Sequence, residues 1–157
     1  MFIVTLCALL FCTSLTVFAD SSDCKVETEY LSDGSYYETV IIQELTPLMV
    51  DAAPSLSKSK TITGSKTTYY KNSSGKVMWY VKVTGIFTYG GGSAKCTNAS
   101  VTAESKNSAW KVSNKSSWKT SNKAFAKATG THYFSGMPKE SFTRTVTLIC
   151  SATGKMS

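Results

Sequence analysis

Bulky side chains alternate with small or polar ones along much of the chain. In KVMWYVKVTGIFTYGGG, residues 76–92, the bulky positions share one parity: Val77, Trp79, Val81, Val83, Phe87 and Tyr89. The opposite parity carries Lys76, Tyr80, Lys82, Thr84 and Thr88. A period of two predicts a β-strand with one buried face. Trp79 is therefore expected in the core, and Tyr80 and Lys82 are expected on the outer face.

Similar segments recur between turn signals, and no helical period interrupts them after the first 20 residues. Strands are predicted at residues 36–45, 60–71, 76–89, 93–104, 108–118, 122–134 and 141–153. Residues 72–75, Asn-Ser-Ser-Gly, suit a type I turn closed by a left-handed glycine. Six or seven strands at this spacing predict an all-β fold, an antiparallel β-sandwich of immunoglobulin-like architecture. Leu148 stands where a tyrosine corner would be, which argues against a true immunoglobulin domain.

One predicted strand has a face of small residues only, namely Ala124, Ala126, Ala128 and Gly130. Such a face leaves room for large side chains of the opposing sheet, and Trp79 or Trp110 is expected to fill it. Arg144 interrupts the inward parity of its own strand, so we expect it near a strand end or rim.

The first 19 residues predict export. Residues 2–19 are apolar apart from threonines and one serine, and they end in Val-Phe-Ala before Asp20. This pattern is typical of a signal peptide cleaved after Ala19, and we expect a secreted protein. A retained signal anchor is the alternative, because about 18 apolar residues reach the lower limit of a membrane span. After cleavage, no stable membrane insertion is expected.

Charge divides the rest of the chain into two parts. Residues 20–51 hold eight acids and one lysine, a net charge of −7, whereas residues 52–157 hold sixteen bases and two acids, a net charge of +14. We therefore expect a signal peptide at 1–19, an acidic leader and linker at 20–58, and a basic β-sandwich domain at 59–157. Such asymmetry favours either docking of the leader on the body or an anionic partner. Lysines that only keep an exported β-protein soluble are the simpler explanation.

Three cysteines remain after signal cleavage. Cys96 and Cys150 lie in predicted strands, whereas Cys24 lies in the polar leader. Exported thiols tend to pair, so a Cys96–Cys150 disulfide is expected. In the chain-entropy model this bridge would contribute on the order of 4 kcal/mol. Cys24 is then a free thiol, an intermolecular link or part of a segment that is later removed.

The stretch YKNSSGKVMWYVKVTGIFTYGGGSAKCTNASV, with NKAFAKATGTHYFSG and SFTRTVTLICSATGKMS, resembles a family of small secreted proteins from Gram-positive anaerobes, Clostridia and relatives. Members are similar in a Thr-, Ser- and Lys-rich β-domain behind a signal peptide and a variable leader. The resemblance spans roughly residues 59–157 and includes the positions of Cys96 and Cys150. It implies an extracellular compartment and a β-fold, and it supplies no activity.

Residues for catalysis are scarce in the basic part. Residues 52–157 contain one histidine, His132, and two carboxylates, Glu104 and Glu140. A hydrolase requires a nucleophile with a base and an orienting acid, or a carboxylate pair, and no nucleophile motif is present. No cluster has the spacing of metal ligands. We therefore predict a protein that is not an enzyme and has no metal or cofactor, with His132, Glu104 and Glu140 apart.

Binding is the better-supported class. Phe125 lies on the outward parity between Lys123 and Lys127, and Tyr80 lies beside Lys82. Aromatic rings among lysines suit sugars and anionic polymers, unless neighbouring strands or lysine stems cover the rings. We expect binding of a cell-wall polyanion or glycan at the cell envelope, and no specific nucleic acid. The alternative is a basic effector, toxin or bacteriocin-like, masked by the acidic leader as a pro-segment.

Overall fold

Eight antiparallel strands form two sheets in the computed structural model, which describes residues 24–44 and 59–157. The strands are β1 (Cys24–Tyr30), β2 (Tyr36–Glu44), β3 (Lys60–Lys71), β4 (Val77–Gly90), β5 (Ser93–Ser105), β6 (Trp110–Thr120), β7 (Lys123–Phe134) and β8 (Met137–Ile149). One sheet has the order β1-β2-β3-β4-β5 and the other the order β6-β7-β8. The two sheets pack against each other, mainly β5 against β6 and β7 and β4 against β7, so the fold is a β-sandwich.

The predicted all-β sandwich is confirmed, whereas the predicted immunoglobulin-like architecture is not. Each strand pairs with its sequence neighbour, and the chain passes to the second sheet once, between β5 and β6. Immunoglobulin domains instead alternate between sheets through Greek-key connections. The difference arises because short turns join β1 to β2, β3 to β4, β4 to β5, β6 to β7 and β7 to β8, and short turns favour pairing between neighbours in sequence.

The predicted turn between β3 and β4 is present. The amide of Gly75 donates to the Asn72 carbonyl at 2.9 Å, and the Asn72 amide donates to the Lys76 carbonyl at 3.0 Å. Gly75 has a φ of 81°, in the left-handed region that glycine adopts without strain. The Asn72 side chain accepts a further hydrogen bond from the Lys76 amide at 2.8 Å. Local sequence thus fixes the register of this hairpin.

The small face of β7 receives the large side chains of β4, as the alternation predicts. Ala124, Ala126 and Ala128 are fully buried, and so is Trp79. A Cβ at Gly130 would overlap the indole of Trp79, so the ring occupies the space that a side chain would need. The indole Nε1 is buried and has no hydrogen-bond partner among the described residues. The close packing around Trp79 therefore leaves the indole N–H without a hydrogen-bond acceptor among the described residues.

The described part of the acidic leader belongs to the sandwich. β2 pairs with β3 over nine residues, from Tyr36 opposite Lys71 to Glu44 opposite Thr63. Tyr37 and Ile41 on β2 are buried in the same core as Trp79. Removal of this hairpin would expose those contacts and the edge of β3. The leader therefore docks on the body by adding β1 and β2 to the sheet at the edge of β3.

Arg144 was expected near a strand end or rim, and it lies on β8, an edge strand of its sheet, from which it bridges to β1, an edge strand of the other sheet. It lies within β8 opposite Ala128, with its guanidinium directed to β1 and β2. An inward-parity charge is tolerated there because a carboxylate, Glu29, meets it.

The expected disulfide is not formed in this structure, where Cys96 and Cys150 are free and buried thiols. The Cys96 amide donates to the Ser121 carbonyl at 2.7 Å, and the Cys150 amide donates to the Asn122 carbonyl at 3.0 Å. Both cysteines therefore flank the β6–β7 turn. Burial raises the pKa of both thiols, and the proximity of Cys96 raises that of Cys150 further. The bridge stays a prediction.

Several predictions fall on residues 1–23 and 45–58, outside the described part of the chain. They are the signal peptide with its cleavage site and the linker. The role of Cys24 is a further such prediction, because the side chain of Cys24 also lies outside the described part. Among the residues that are described, no helix has the length and apolar character needed to cross a bilayer.

Candidate functional site

The outer face of the three-stranded sheet carries a stacked pair of aromatic rings. Trp118 on β6 and Phe125 on β7 lie directly opposite each other in the register. Their ring centroids are 5.0 Å apart and the ring planes differ by 1°. Trp118 remains 40% exposed, whereas Phe125 is half-buried. We call this pair the aromatic platform.

A bulge in β6 places Trp118 on the outer face. Between Ser113 and Ser116 the register shifts by one residue, and Asn114 within this shift has a φ of 52°. Such a bulge reverses the parity of every later side chain in the strand. Trp110, before the bulge, is buried, and Trp118 after it faces out. Because Trp110 and Trp118 are an even number of residues apart, strict alternation would place both side chains on the same face, and the sequence pattern does not reveal the bulge.

Positive charge flanks the aromatic platform. Lys123 and Lys127 lie two residues before and after Phe125 on β7, and both are exposed, as the parity predicts. Their Cα atoms are roughly 13 Å apart, four residues along a strand. Neither ammonium forms an ion pair within the described residues. The two charges are therefore available to an anionic ligand.

Hydroxyl groups line the same face further along β7 and β8, beyond Lys127. Thr129 and Thr143 share a hydrogen bond of 2.9 Å across β7 and β8, and Thr131 and Ser141 share another of 2.9 Å. Each hydroxyl has further donor or acceptor capacity directed to solvent. The face combines flat apolar rings, hydroxyls and unpaired cations.

Tyr80 and Lys82 lie on the outer face of the other sheet, as their parity predicts, with the core between them and the aromatic platform. The five predicted binding residues therefore do not form one site. Tyr80 is half-buried because Tyr69 packs beside it at 5.7 Å and the Lys106 ammonium lies 5.4 Å from its ring centroid. Burial, followed by the neighbouring Glu104, raises the pKa of the Tyr80 phenol.

A cleft of about 290 Å³ opens at one end of the sandwich, where the β1–β2, β3–β4 and β5–β6 connections meet. Its lining includes His132 and Glu140 together with Asp33 from the leader. His132 Nδ1 lies 3.1 Å from Glu140 Oε1, and the imidazole stacks on Trp110 with centroids 5.1 Å apart. The prediction that His132 and Glu140 lie apart is wrong, because they are opposite each other in the β7–β8 register.

The groups that surround His132 within the described residues are a carboxylate and an aromatic ring. Among the described residues the imidazole contacts Glu140 and Trp110, and no hydroxyl or thiol hydrogen-bonds to it. Glu104 does not line the cleft, since it pairs with Lys106 at 3.0 Å on the outer face. Hydrogen bonds from Ser35 hold the pKa of Asp33 below its usual value, which keeps that carboxylate ionised. Within the described residues, no group of three or more His, Cys, Asp or Glu is placed to hold a metal ion.

Comparison with protein-family models gives no match, and comparisons with curated proteins and with solved structures find none either. The site must therefore be interpreted from its own geometry.

Proposed function

We propose that this protein is an exported, non-enzymatic β-sandwich that binds an anionic glycopolymer or carbohydrate of the cell envelope. The binding residues are Trp118 and Phe125, flanked by Lys123 and Lys127. The observation that carries the proposal is the parallel, partly exposed ring pair between two unpaired lysines. Export rests on the apolar amino-terminal segment and on the resemblance to secreted β-domain proteins.

The chemistry of such polymers matches this face. The C–H groups of a sugar carry a small positive charge and pack against the negative face of an aromatic ring. Phosphate or carboxylate groups along the polymer would meet the ammonium groups of Lys123 and Lys127 at either side. Threonine and serine hydroxyls on the same face supply hydrogen bonds to sugar hydroxyls. Each interaction is weak in water, so affinity depends on several units of one chain binding together.

The leader hairpin favours this function over a masked effector. A pro-segment that is removed should leave a folded body behind it. Here Tyr37 and Ile41 from the leader are buried in the core, and Glu29 pairs with Arg144. These contacts support a leader that stays with the mature protein.

The test is cosedimentation of the full mature chain with purified Gram-positive cell walls at low and high salt. We expect Trp118→Ala to weaken retention about five-fold or more, because loss of one stacking ring costs ~1–3 kcal/mol. Phe134→Ala is the matched control, since Phe134 is 70% exposed on the same sheet but lies at the β7–β8 turn. High salt should release the wild type. Equal retention of both variants and the wild type would contradict the proposal.

A further inference from the structure

Four tyrosines lie on the outer face of the five-stranded sheet, one on each of β1 to β4. Tyr30 and Tyr36 are opposite each other with ring centroids 5.3 Å apart, and Tyr69 and Tyr80 are opposite each other at 5.7 Å. Tyr36 is diagonal to Tyr69, because Tyr69 pairs with Glu38, two residues further along β2. The rings form a diagonal line over roughly 15 Å, three strand spacings. We call this line the tyrosine row.

Two lysines along the tyrosine row are paired with carboxylates. Lys71 Nζ lies 2.6 Å from Glu38 Oε1, and Lys106 Nζ lies 3.0 Å from Glu104 Oε2. The same two ammonium groups lie near the rings of Tyr36 and Tyr80, at 5.8 Å and 5.4 Å from the centroids. These two ion pairs cancel, whereas Lys82, two residues beyond Tyr80 on the same face of β4, is a cation that has no ion pair among the described residues. The tyrosine row therefore has more of its neighbouring charge paired than the aromatic platform, which lies between two unpaired lysines.

The shape and polarity of the row define its ligand. Tyr30 is 75% exposed on the edge strand, and Tyr36, Tyr69 and Tyr80 are half-buried with part of each ring open to solvent. Exposed rings in a line, with phenol hydroxyls and with the cations nearest to the rings of Tyr36 and Tyr80 held in ion pairs, match a chain of uncharged sugars better than a polyanion. We propose that the tyrosine row binds a neutral polysaccharide laid across strands β1 to β4. Because the row and the aromatic platform lie on opposite outer faces, one molecule would hold two polymer chains.

Affinity electrophoresis of the full mature chain tests this second surface. Native gels contain hydroxyethyl cellulose, laminarin or soluble xylan as neutral probes, and dextran sulfate as the anionic probe. We expect at least one neutral probe to retard the wild type at low and high salt alike. Tyr30→Ala should weaken that retardation about five-fold or more. Val26→Ala is the matched control, since Val26 is 56% exposed on the same face of β1.

The design separates the two proposed surfaces. Trp118→Ala should leave retardation by the neutral probe unchanged, and Tyr30→Ala should leave binding to dextran sulfate unchanged. Absence of retardation by all three neutral probes, or equal retardation of Tyr30→Ala and wild type, would overturn the tyrosine row as a binding surface. Sedimentation velocity adds a further outcome. A dimer that Tyr30→Ala dissociates would mean that a second copy of the chain covers the row, and would also overturn the proposal.

Discussion

Arg144 on β8 donates to Glu29 on β1, with Nη2 and Oε2 2.5 Å apart. The guanidinium also lies 4.4 Å from the ring centroid of Tyr37 on β2. One side chain of the basic part thus contacts β1 and β2 of the acidic leader, from the opposite sheet. The charge division of the sequence corresponds to an interaction within the fold.

Burial of the leader can be tested with two neighbouring isoleucines. Ile41 is 4% exposed and Ile42 is 41% exposed, on opposite faces of β2. We expect Ile41→Ala to lower the free energy of unfolding by about 2–5 kcal/mol, because it leaves a cavity in the core. Ile42→Ala should lower it by less than about 1 kcal/mol. Urea unfolding of the full chain measures both, and equal small effects would mean that the leader does not share the core.

The contact between Gly130 and Trp79 predicts a coupled pair. Gly130→Ala should destabilise the protein by about 1–3 kcal/mol, because a new methyl group would overlap the indole. In Trp79→Phe the smaller ring leaves room, so adding Gly130→Ala should cost less there than in the wild type. A double-mutant cycle on unfolding free energies measures this coupling. Additive costs would show that the two residues do not meet.

The predicted bridge between Cys96 and Cys150 has a direct test. In an oxidising compartment the two thiols would lose two protons and two electrons to a disulfide oxidant, and the intact mass would fall by two hydrogens. We expect reductant to lower the melting temperature of the wild type by several degrees and to leave Cys96→Ser unchanged. A wild type insensitive to reductant, with two alkylatable thiols after unfolding, would contradict the bridge.

Two buried tyrosines predict a loss of stability at high pH. Burial raises the pKa of Tyr37 and of Tyr70 above the usual value of about 10. The unfolded chain then releases these protons first, so stability is complete below about pH 10 and falls as pH rises through the folded pKa values. Urea midpoints between pH 9 and pH 11 measure the loss. Tyr70→Phe should show a shallower loss than Tyr30→Phe, and parallel curves would contradict this explanation.

Local pattern predicted most strands, because alternation and turn chemistry act over short distances. The bounds predicted for β3 are those observed, and β4 differs by one residue at each end. β1 was missed, since CKVETEY is an edge strand whose side chains are exposed from Lys25 to Tyr30 and which shows no apolar face. Alternation of apolar and polar residues predicts a strand only where one face of the strand is apolar.

The candidate sites were predicted less completely, for a physical reason in each case. Phe125 with Lys123 and Lys127 followed from parity within one strand. Its partner Trp118 did not, because the β6 bulge reverses the parity after Ser113. The tyrosine row depends on the pairing of β2 with β3 across residues 45–59, which no local signal specifies.

In the proposed function Lys123 and Lys127 recruit an anionic glycopolymer to the aromatic platform, and the salt dependence of binding tests their role. Isothermal titration with purified wall teichoic acid compares the wild type, Lys123→Gln/Lys127→Gln and the charge-matched control Lys76→Gln/Lys95→Gln. We predict that the first double variant binds more weakly, with a slope of log affinity against log salt shallower by roughly one to two. The control should match the wild type, because Lys76 adjoins β4 and Lys95 lies on β5, both exposed and both in the sheet opposite the platform. Identical affinities and slopes for all three proteins would contradict the claim.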